Sequence, residues 1–355
     1  MQARTTHLVT TFDSGGSSGR LRAAFDMPAV GDLRRRALSL ADLEDASRAA
    51  FVQVLDHRFP IDATPAALRR AVASLARGTS PLQVRLAPSD RARLSRAIDS
   101  LLDHPRARAL DLAGASVGNL ALAGLYLERG RRLGPAVSDF ARWVGARGEV
   151  RPISEVPLHI AVELENGRSF VGQHLLTGKE APPIESPVRR IHLCRGPDEP
   201  APVRVHVDPA VRDAILAADL VCYPIGSFYS SVVVNLLPAG TAEAIALSPA
   251  RKVYIHNLGR DPEQLGRSCF ECAMILLGRL RRDPLLHHAA SVLDTVVVDA
   301  AEAHRIRPEE QDRFAELGIE LVALPLAGGA ACGMDPARLA AALEAFAAPR
   351  VGFAR

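Results

Sequence analysis

A chain of 355 residues that is 48% hydrophobic and 23% charged has the composition of a folded protein with an ample core, which excludes disorder as its main state. Its 43 basic and 40 acidic residues leave a net charge of only +3. The arginines are interleaved with Asp and Glu rather than gathered into a stripe or tail, which argues against nucleic acid as a partner.

Five cysteines, Cys194, Cys222, Cys269, Cys272 and Cys332, are too scattered for a disulfide framework. The apolar run His7 to Phe12 is too short for a signal peptide, and no stretch reaches the ~20 apolar residues of a membrane span. A cytoplasmic protein without a membrane partner is the expectation. Lysine is confined to Lys179 and Lys252, so the basic side is arginine, read mainly as compositional bias.

Strand and helix periods alternate along the chain, which predicts an α/β fold with a mainly parallel sheet. The first strand is expected over His7–Phe12. One helical stretch is expected from about Leu33 to His57, with apolar positions near 3.6 spacing. Ala66–Leu75 and Asp90–Leu102 read as amphipathic helices and Ala107–Leu112 as a strand. Gly118–Gly130 and Pro135–Val144 read as helices, the second with proline in its first turn. Between residues 149 and 207 the pattern changes. Pro157–Leu164 and Ser169–Leu175 alternate apolar and polar residues around Asn166-Gly167, a strong hairpin signal. With Val188–Cys194 and Val203–Val207 as further strands, this region reads as an antiparallel excursion within one α/β domain spanning 1–355. The rhythm then resumes: helix Pro209–Ala217, strand Asp219–Ile225, helix Tyr229–Leu236, strand Lys252–His256 and helix Glu263–Arg281. Strand Thr295–Val298, helix Glu309–Leu317, strand Ile319–Ala323 and helix Pro336–Phe346 follow.

Ligands of open α/β sheets bind beyond the carboxyl ends of the strands, and three such places carry unusual chemistry. In the first, Asp13 ends a strand, where its carboxylate can face a divalent cation. Gly15, Gly16, Ser17, Ser18 and Gly19 let the backbone approach a ligand and aim N–H groups at an anion. Arg20 and Arg22 can add charge-assisted contacts to phosphate. Gly31-Asp32-Leu33-Arg34 then opens a helix with a second carboxylate, Asp32, which serves equally as an ordinary N-cap. The second place is Gly226-Ser227-Phe228-Tyr229-Ser230-Ser231, a helix start suited to phosphate or simply capped by Ser227. The third is Tyr254 to Gly259, where Asn257 can hold a base, a ribose or a turn.

Two competing patterns need weighing. Gly114-Ala115-Ser116-Val117-Gly118 fits the nucleophile elbow G-x-S-x-G. It keeps a serine hydrolase in play, with Asp219 and His256, or Asp299 and His304, in the required chain order. Cys269-Phe270-Glu271-Cys272 lies in a helical run with no second Cys or His pair at zinc spacing, and reads as two buried thiols. His287-His288 diverge on a helix and read as surface or loop residues.

Taken in order, these segments resemble the CofD/YvcK family. Asp13-Ser14-Gly15-Gly16-Ser17-Ser18-Gly19-Arg20-Leu21-Arg22 with Gly31-Asp32-Leu33-Arg34 is similar to its first motif. Gly114-Ala115-Ser116-Val117-Gly118-Asn119-Leu120 is similar to its G-N-L segment. Gly226 to Ser231 with Asn235-Leu236-Leu237, Lys252 to Asn257, and Glu163-Leu164-Glu165-Asn166-Gly167 also match. The likeness runs from about His7 to Asp299, and the variant here resembles the CofD-like proteins of the so-called GAK system. It implies a Rossmann-like three-layer αβα sandwich with a small antiparallel β insertion, binding a GDP- or UDP-linked nucleotide diphosphate. The family's enzyme branch, 2-phospho-L-lactate transferase, moves a phospholactyl group from a guanosine diphosphate-linked donor to a hydroxyl of the deazaflavin Fo, with magnesium. The other branch binds nucleotide sugars and regulates metabolism and cell shape without settled catalysis. The family also suggests a homodimer.

Carried over residue by residue, Asp13 and Asp32 match the acidic positions that hold Mg2+ or orient the acceptor hydroxyl. Gly15 to Arg20 match the diphosphate loop, and Gly118 and Asn119 the G-N-L segment. Gly226, Ser227, Tyr229 and Ser230 match a second phosphate or ribose loop, and Asn257 the nucleotide-side strand end. The resemblance also absorbs the elbow pattern, which weakens the hydrolase reading. Two departures stand out. Ser14 occupies the place of a second acid, which counts against transferase catalysis. The chain also begins just after where the family's first strand and G-G-T/G loop belong, so either the natural start lies upstream or the first βα unit is lost. The resulting expectation is a magnesium-dependent transferase acting on a small nucleotide-linked substrate, with a non-catalytic nucleotide-sugar-binding regulator as the alternative.

Overall fold

The computed structural model describes residues 4–178, 180–281, 292–328 and 333–348. Lys179, His287, His288 and Cys332 lie outside the described residues. The chain clusters into two compact units. The first comprises residues 1–160, 171–174 and 193–203, and the second 161–170, 175–192 and 204–355.

In the first unit β1 (Thr6–Val9) pairs in parallel with β2 (Glu149–Pro152), Leu8 opposite Arg151. Seven helices lie between them in sequence: α1 (Gly16–Phe25), α2 (Gly31–Ser39), α3 (Ala46–Asp56), α4 (Pro65–Ala76), α5 (Pro88–Asp103), α6 (Val117–Glu128) and α7 (Leu133–Trp143). Helix α6 is apolar on every side and buried from Val117 to Tyr126, the mark of a central helix. A Cβ at Gly124 would collide with the backbone of Ala97 on α5, so the two helices approach as closely as backbones can.

The single helix expected over Leu33–His57 is two, α2 and α3. The sequence did carry the break: Asp45 accepts the N–H groups of Ser47 and Arg48 at 2.8 and 3.2 Å and starts α3 afresh. Ala107–Leu112 is not a strand, because Pro105–Ala109 forms a 3-10 turn capped by His104.

The small antiparallel sheet has the order β4-β3-β5, from β3 (His159–Leu164), β4 (Ser169–Val171) and β5 (Val188–Cys194). Its hairpin turns at Asn166-Gly167 as predicted, with Gly167 at φ +85° and the Leu164 N–H donating to the Arg168 carbonyl at 2.8 Å. Val203–Val207 forms no strand; only a bridge between His206 and Ala239 remains.

The second unit holds a four-stranded parallel sheet in the order β6-β7-β8-β9, from β6 (Leu220–Tyr223), β7 (Arg251–Ile255), β8 (Thr295–Asp299) and β9 (Glu320–Leu324). All five residues of β8 are buried, as a strand covered on both faces requires. Around the sheet run α8 (Pro209–Leu216), α9 (Thr241–Leu247), α10 (Cys269–Leu280), α11 (Pro308–Glu316) and α12 (Pro336–Ala347). On one face Val253, Ile255, Val297 and Leu326 pack with Leu339, Leu343 and Phe346 of α12.

Two expected helices differ. Residues 229–236 form a π turn (Phe228–Val232) followed by a 3-10 turn (Val233–Leu236). The helix expected from Glu263 starts later, at Cys269, where Ser268 and Glu271 build a capping box. The fold class is the predicted one, α/β with a parallel sheet and a small antiparallel sheet.

Candidate functional site

In the first unit the chain leaves β1 through the buried residues Thr10, Thr11 and Phe12 and reaches Asp13 just before α1. Side chains cap α3, α4, α6 and α10, through Asp45, Thr64, Ser116 and Ser268. No side chain caps α2, α5, α7 or α9, and none caps α1. Its first turn, Gly16-Ser17-Ser18, therefore presents backbone donors at the positive end of the helix dipole. Gly16 sits at φ +48°, and a Cβ at Gly19 would collide with the Ser14 carbonyl. Those two glycines are demanded by backbone geometry.

The Asp13 carboxylate accepts the Gly15 N–H at 2.9 Å. Burial raises its pKa, and the negative charge of Asp32 adds to that rise. The Gly15 N–H, the Ser18 hydroxyl and the Arg22 guanidinium oppose it. The structure thus brings Asp13 and Asp32 within electrostatic reach of each other. Gly31, which precedes Asp32, lies against this pair: a Cβ there would collide with the Ser18 hydroxyl and come 3.5 Å from Asp13 Oδ2. A half-buried carboxylate beside a like charge gains stability from a cation. Magnesium commonly takes one or two carboxylates and completes its shell with water and phosphate oxygens. The donor set fits that habit and no richer one: among the described residues, no group of three or more His, Cys, Asp or Glu converges as a metal site.

Ser14, at the place of the second acid, is hydrogen-bonded to His174. Its Oγ lies 2.8 Å from Nδ1 and accepts the His174 backbone N–H at 3.4 Å. Gly172, at φ +125°, lies against the imidazole, and a Cβ there would come 2.7 Å from the ring. Sequence reasoning missed His174. Nothing local marks it, because its partner lies 160 residues away.

The arginines expected to serve phosphate are engaged within the protein. Arg20 pairs with Asp111 at 3.3 Å and donates to the Ala113 carbonyl. Arg22 is buried and donates to the carbonyls of Phe12, Asp13 and Leu158 at 3.2, 2.8 and 2.5 Å. Burial brings its pKa down to about 10. Arg34 is buried and pairs with Asp56.

Gly118 makes room for other groups: a Cβ would come 2.6 Å from the Leu55 carbonyl and 2.8 Å from the Arg34 side chain. Asn119 donates to Ser17 Oγ at 2.9 Å, tying α6 to the first turn of α1. Its Oδ1 is buried without a hydrogen-bond partner. Ser116 is fully buried and accepts the Asn119 N–H at 3.1 Å as the N-cap of α6. It is a cap and not an exposed nucleophile.

In the second unit Gly226, at φ +145°, starts the other glycine-serine turn. Asn257 clamps it from both sides, accepting the Gly226 N–H at 2.9 Å and donating to the Gly226 carbonyl at 2.8 Å. The turn's donors are already filled by the chain's own carboxylates. Phe228 N–H donates to Asp261 at 2.8 Å, and the N–H groups of Tyr229 and Ser230 donate to Glu263 at 2.8 Å. Ser230 Oγ adds a bond to Glu263 at 2.5 Å. Ser227 makes no cap. Burial raises Glu263 to about 7, against the pull of the Ser230 and Tyr229 hydrogen bonds.

Two of the four candidate hydrolase partners, Asp299 and His256, are occupied as well. Asp299 accepts the N–H groups of Ala301, Leu326 and Ala327. His256 is bonded to the Tyr254 hydroxyl at 3.0 Å, and burial lowers it to about 4. Cys269 and Cys272 are buried thiols whose pKa burial raises, as expected for structural cysteines.

Residues 1–326 match the family described as 2-phospho-L-lactate transferase CofD. The gluconeogenesis factor of Halalkalibacterium halodurans is 28% identical over 295 residues, 82% of this chain and 72% of that protein. That of Bacillus subtilis is 26% identical over 312 residues, 88% of this chain and 75% of that protein. A putative gluconeogenesis factor of Mycobacterium tuberculosis is 28% identical over 351 residues, 98% and 84% of the two chains. A crystal structure of a member of the UPF0052 family from Bacillus halodurans has the same fold, with a TM-score of 0.67 at 22% identity over 96% of this chain and 91% of that one.

Proposed function

The chain belongs to the CofD family, and on that premise we propose that α1 binds the diphosphate of a nucleotide-linked small molecule and that the protein transfers its phospho-linked group to an acceptor hydroxyl. The observation that carries this reading is the uncapped N-terminus of α1 beside Asp13, whose carboxylate feels the charge of Asp32, itself paired with Arg35 at 3.7 Å. Backbone N–H groups there favour an anion of two phosphates. The carboxylates alone would repel it; Asp13 and Asp32 would hold a divalent cation that neutralises their charge. Bound Mg2+ would supply charge neutralisation of the diphosphate.

The residues of the chain would divide the work as follows. The Gly16-Ser17-Ser18 turn holds the diphosphate in line with the incoming hydroxyl, and positioning and charge stabilisation carry most of such chemistry. The acceptor oxygen forms a bond to phosphorus, the bond from phosphorus to the nucleotide phosphate oxygen breaks, and the acceptor proton passes to Asp13. Asn119 fixes Ser17 and offers its free Oδ1 beside the same turn.

A second reading, a regulator that binds a nucleotide sugar without turnover, is favoured by one observation: Ser14 and His174 stand where a second acid would strengthen the metal site. The gluconeogenesis-factor names of the relatives agree with it. Thermal-shift measurements with GDP, a GDP-linked donor and UDP-sugars, each with and without magnesium, separate the two. Magnesium-dependent binding of the GDP donor followed by its chromatographic consumption supports transfer. Stable binding of an intact UDP-sugar supports regulation. No shift with any of them rejects the α1 site.

A further inference from the structure

A cavity of about 210 Å3 opens in the first unit away from any segment assigned above, lined by Arg93 and Arg96 of α5, Arg129 at the end of α6, and Asp139, Arg142 and Trp143 of α7. Four arginines from three helices line it. The buried Asp139 binds Arg129 through Nε at 2.5 Å and also pairs with Arg142, so one carboxylate holds two guanidiniums in place. Glu128, the other acid in the lining, accepts a hydrogen bond from Ser100 at 2.9 Å.

Helix ends explain two of the cations. Arg129 and Arg142 lie at the C-terminal turns of α6 and α7, where positive charge is favoured. They do not explain Arg93 and Arg96, which sit mid-helix on one face of α5 at i, i+3 spacing. Arg93 has only a surface pair with Asp90 at 3.2 Å, and Arg96 meets no carboxylate among the described residues. The two acids leave an excess of two positive charges at this one cavity, in a chain whose whole net charge is +3. Each guanidinium has five N–H donors, and the bonds just described occupy at most two on any of them. Trp143 and Leu125 supply an apolar wall beside those donors.

We propose that this cavity is a second binding site, for a small phosphorylated ligand that carries at least two negative charges and rests its body on Trp143. The fork of each guanidinium matches phosphate oxygens in pairs, and the indole face accepts a flat or aliphatic body. The proposal does not rest on the nucleotide reading of α1.

Trp143 is the only tryptophan of the chain, so intrinsic emission reports on this cavity directly. The full chain is titrated with inorganic pyrophosphate in magnesium-free buffer at constant ionic strength. A saturable change in Trp143 emission is expected. In the R93Q/R96Q double variant half-saturation should rise by about tenfold or more, the scale of lost charge-assisted contacts. Both side chains are exposed, so the melting temperature without ligand should stay unchanged; Arg96→Glu, which reverses one charge, is read beside it and should weaken binding further. Asp13→Asn should leave the emission titration as it is. The proposal is overturned by the absence of a saturable change, or by equal affinity in the arginine variants. A change that vanishes in Asp13→Asn and survives in R93Q/R96Q also overturns it, by assigning the anion to the α1 turn.

Discussion

Glu263 is 1% exposed and takes hydrogen bonds from two backbone N–H groups and a hydroxyl of one turn, so it does what a bound anion would do there. Its carboxyl is raised by burial from 4.5 to about 7. Between those values the folded state holds a proton that the unfolded chain has released, so Glu263 lowers stability as pH rises through that window. Half-buried histidines act in the opposite sense: desolvation holds His7, His159 and His256 down at about 4, and stability is lost as pH falls from 6.5. The difference between the wild-type protein and Glu263→Gln isolates the carboxyl. The variant should gain on the wild type from pH 5 to pH 7, by a few kcal/mol at most, as read from urea unfolding at each pH. At the other loop, Ser14→Asp restores a pair of acids. If magnesium is held there, this variant should bind it more tightly, by about tenfold for one added ligand charge, in a calorimetric titration. Asp13 and Asp32 were legible in the sequence, since an acid after a short strand and an acid opening a helix are local patterns. His174 was not, because its bond to Ser14 exists only once residues 160 apart are folded together.

Among the helices and loops, glycine marks where backbones touch. Gly124→Ala would drive a methyl group into the backbone of Ala97, which cannot yield as a flexible side chain would. The expected loss is about 3 kcal/mol or more, beyond the usual cost of overpacking, and thermal unfolding of the variant measures it. Gly19→Ala meets the Ser14 carbonyl and should spoil the α1 turn, abolishing the magnesium-dependent nucleotide shift while leaving the far-ultraviolet dichroism unchanged. The amphipathic helices α4 and α5 were legible because one apolar face repeats at helical spacing. The join between α2 and α3, the 3-10 turn at Pro105–Ala109 and the π turn at Phe228–Val232 were not, although Asp45 announced the first of them. In the last case the apolar run Val232 to Leu237 reads as helix. The turn differs because Asp261 and Glu263 take up the N–H groups at its start, and carboxylates from the loop after β7 are invisible to a local reading.

For the molecule as a whole, a net charge of +3 over 355 residues, with arginines interleaved with acids along the chain, predicts no affinity for duplex DNA at physiological salt, which fluorescence anisotropy would check. Among the described residues no helix is long and apolar enough to cross a membrane. The sequence by itself determined the fold class, the parallel strand–helix rhythm, the Asn166-Gly167 hairpin and the order of the family motifs. All of these rest on periodicity, turn chemistry or the run of neighbouring residues. Only the tertiary structure decided which polar groups are free. It showed α1 uncapped, Ser116 and the Gly226 turn already satisfied, Arg22 and Arg34 turned inward, and four arginines gathered at Trp143. Whether a donor or a charge is available to a ligand depends on partners supplied from elsewhere in the chain, and that is a property of contacts rather than of local order.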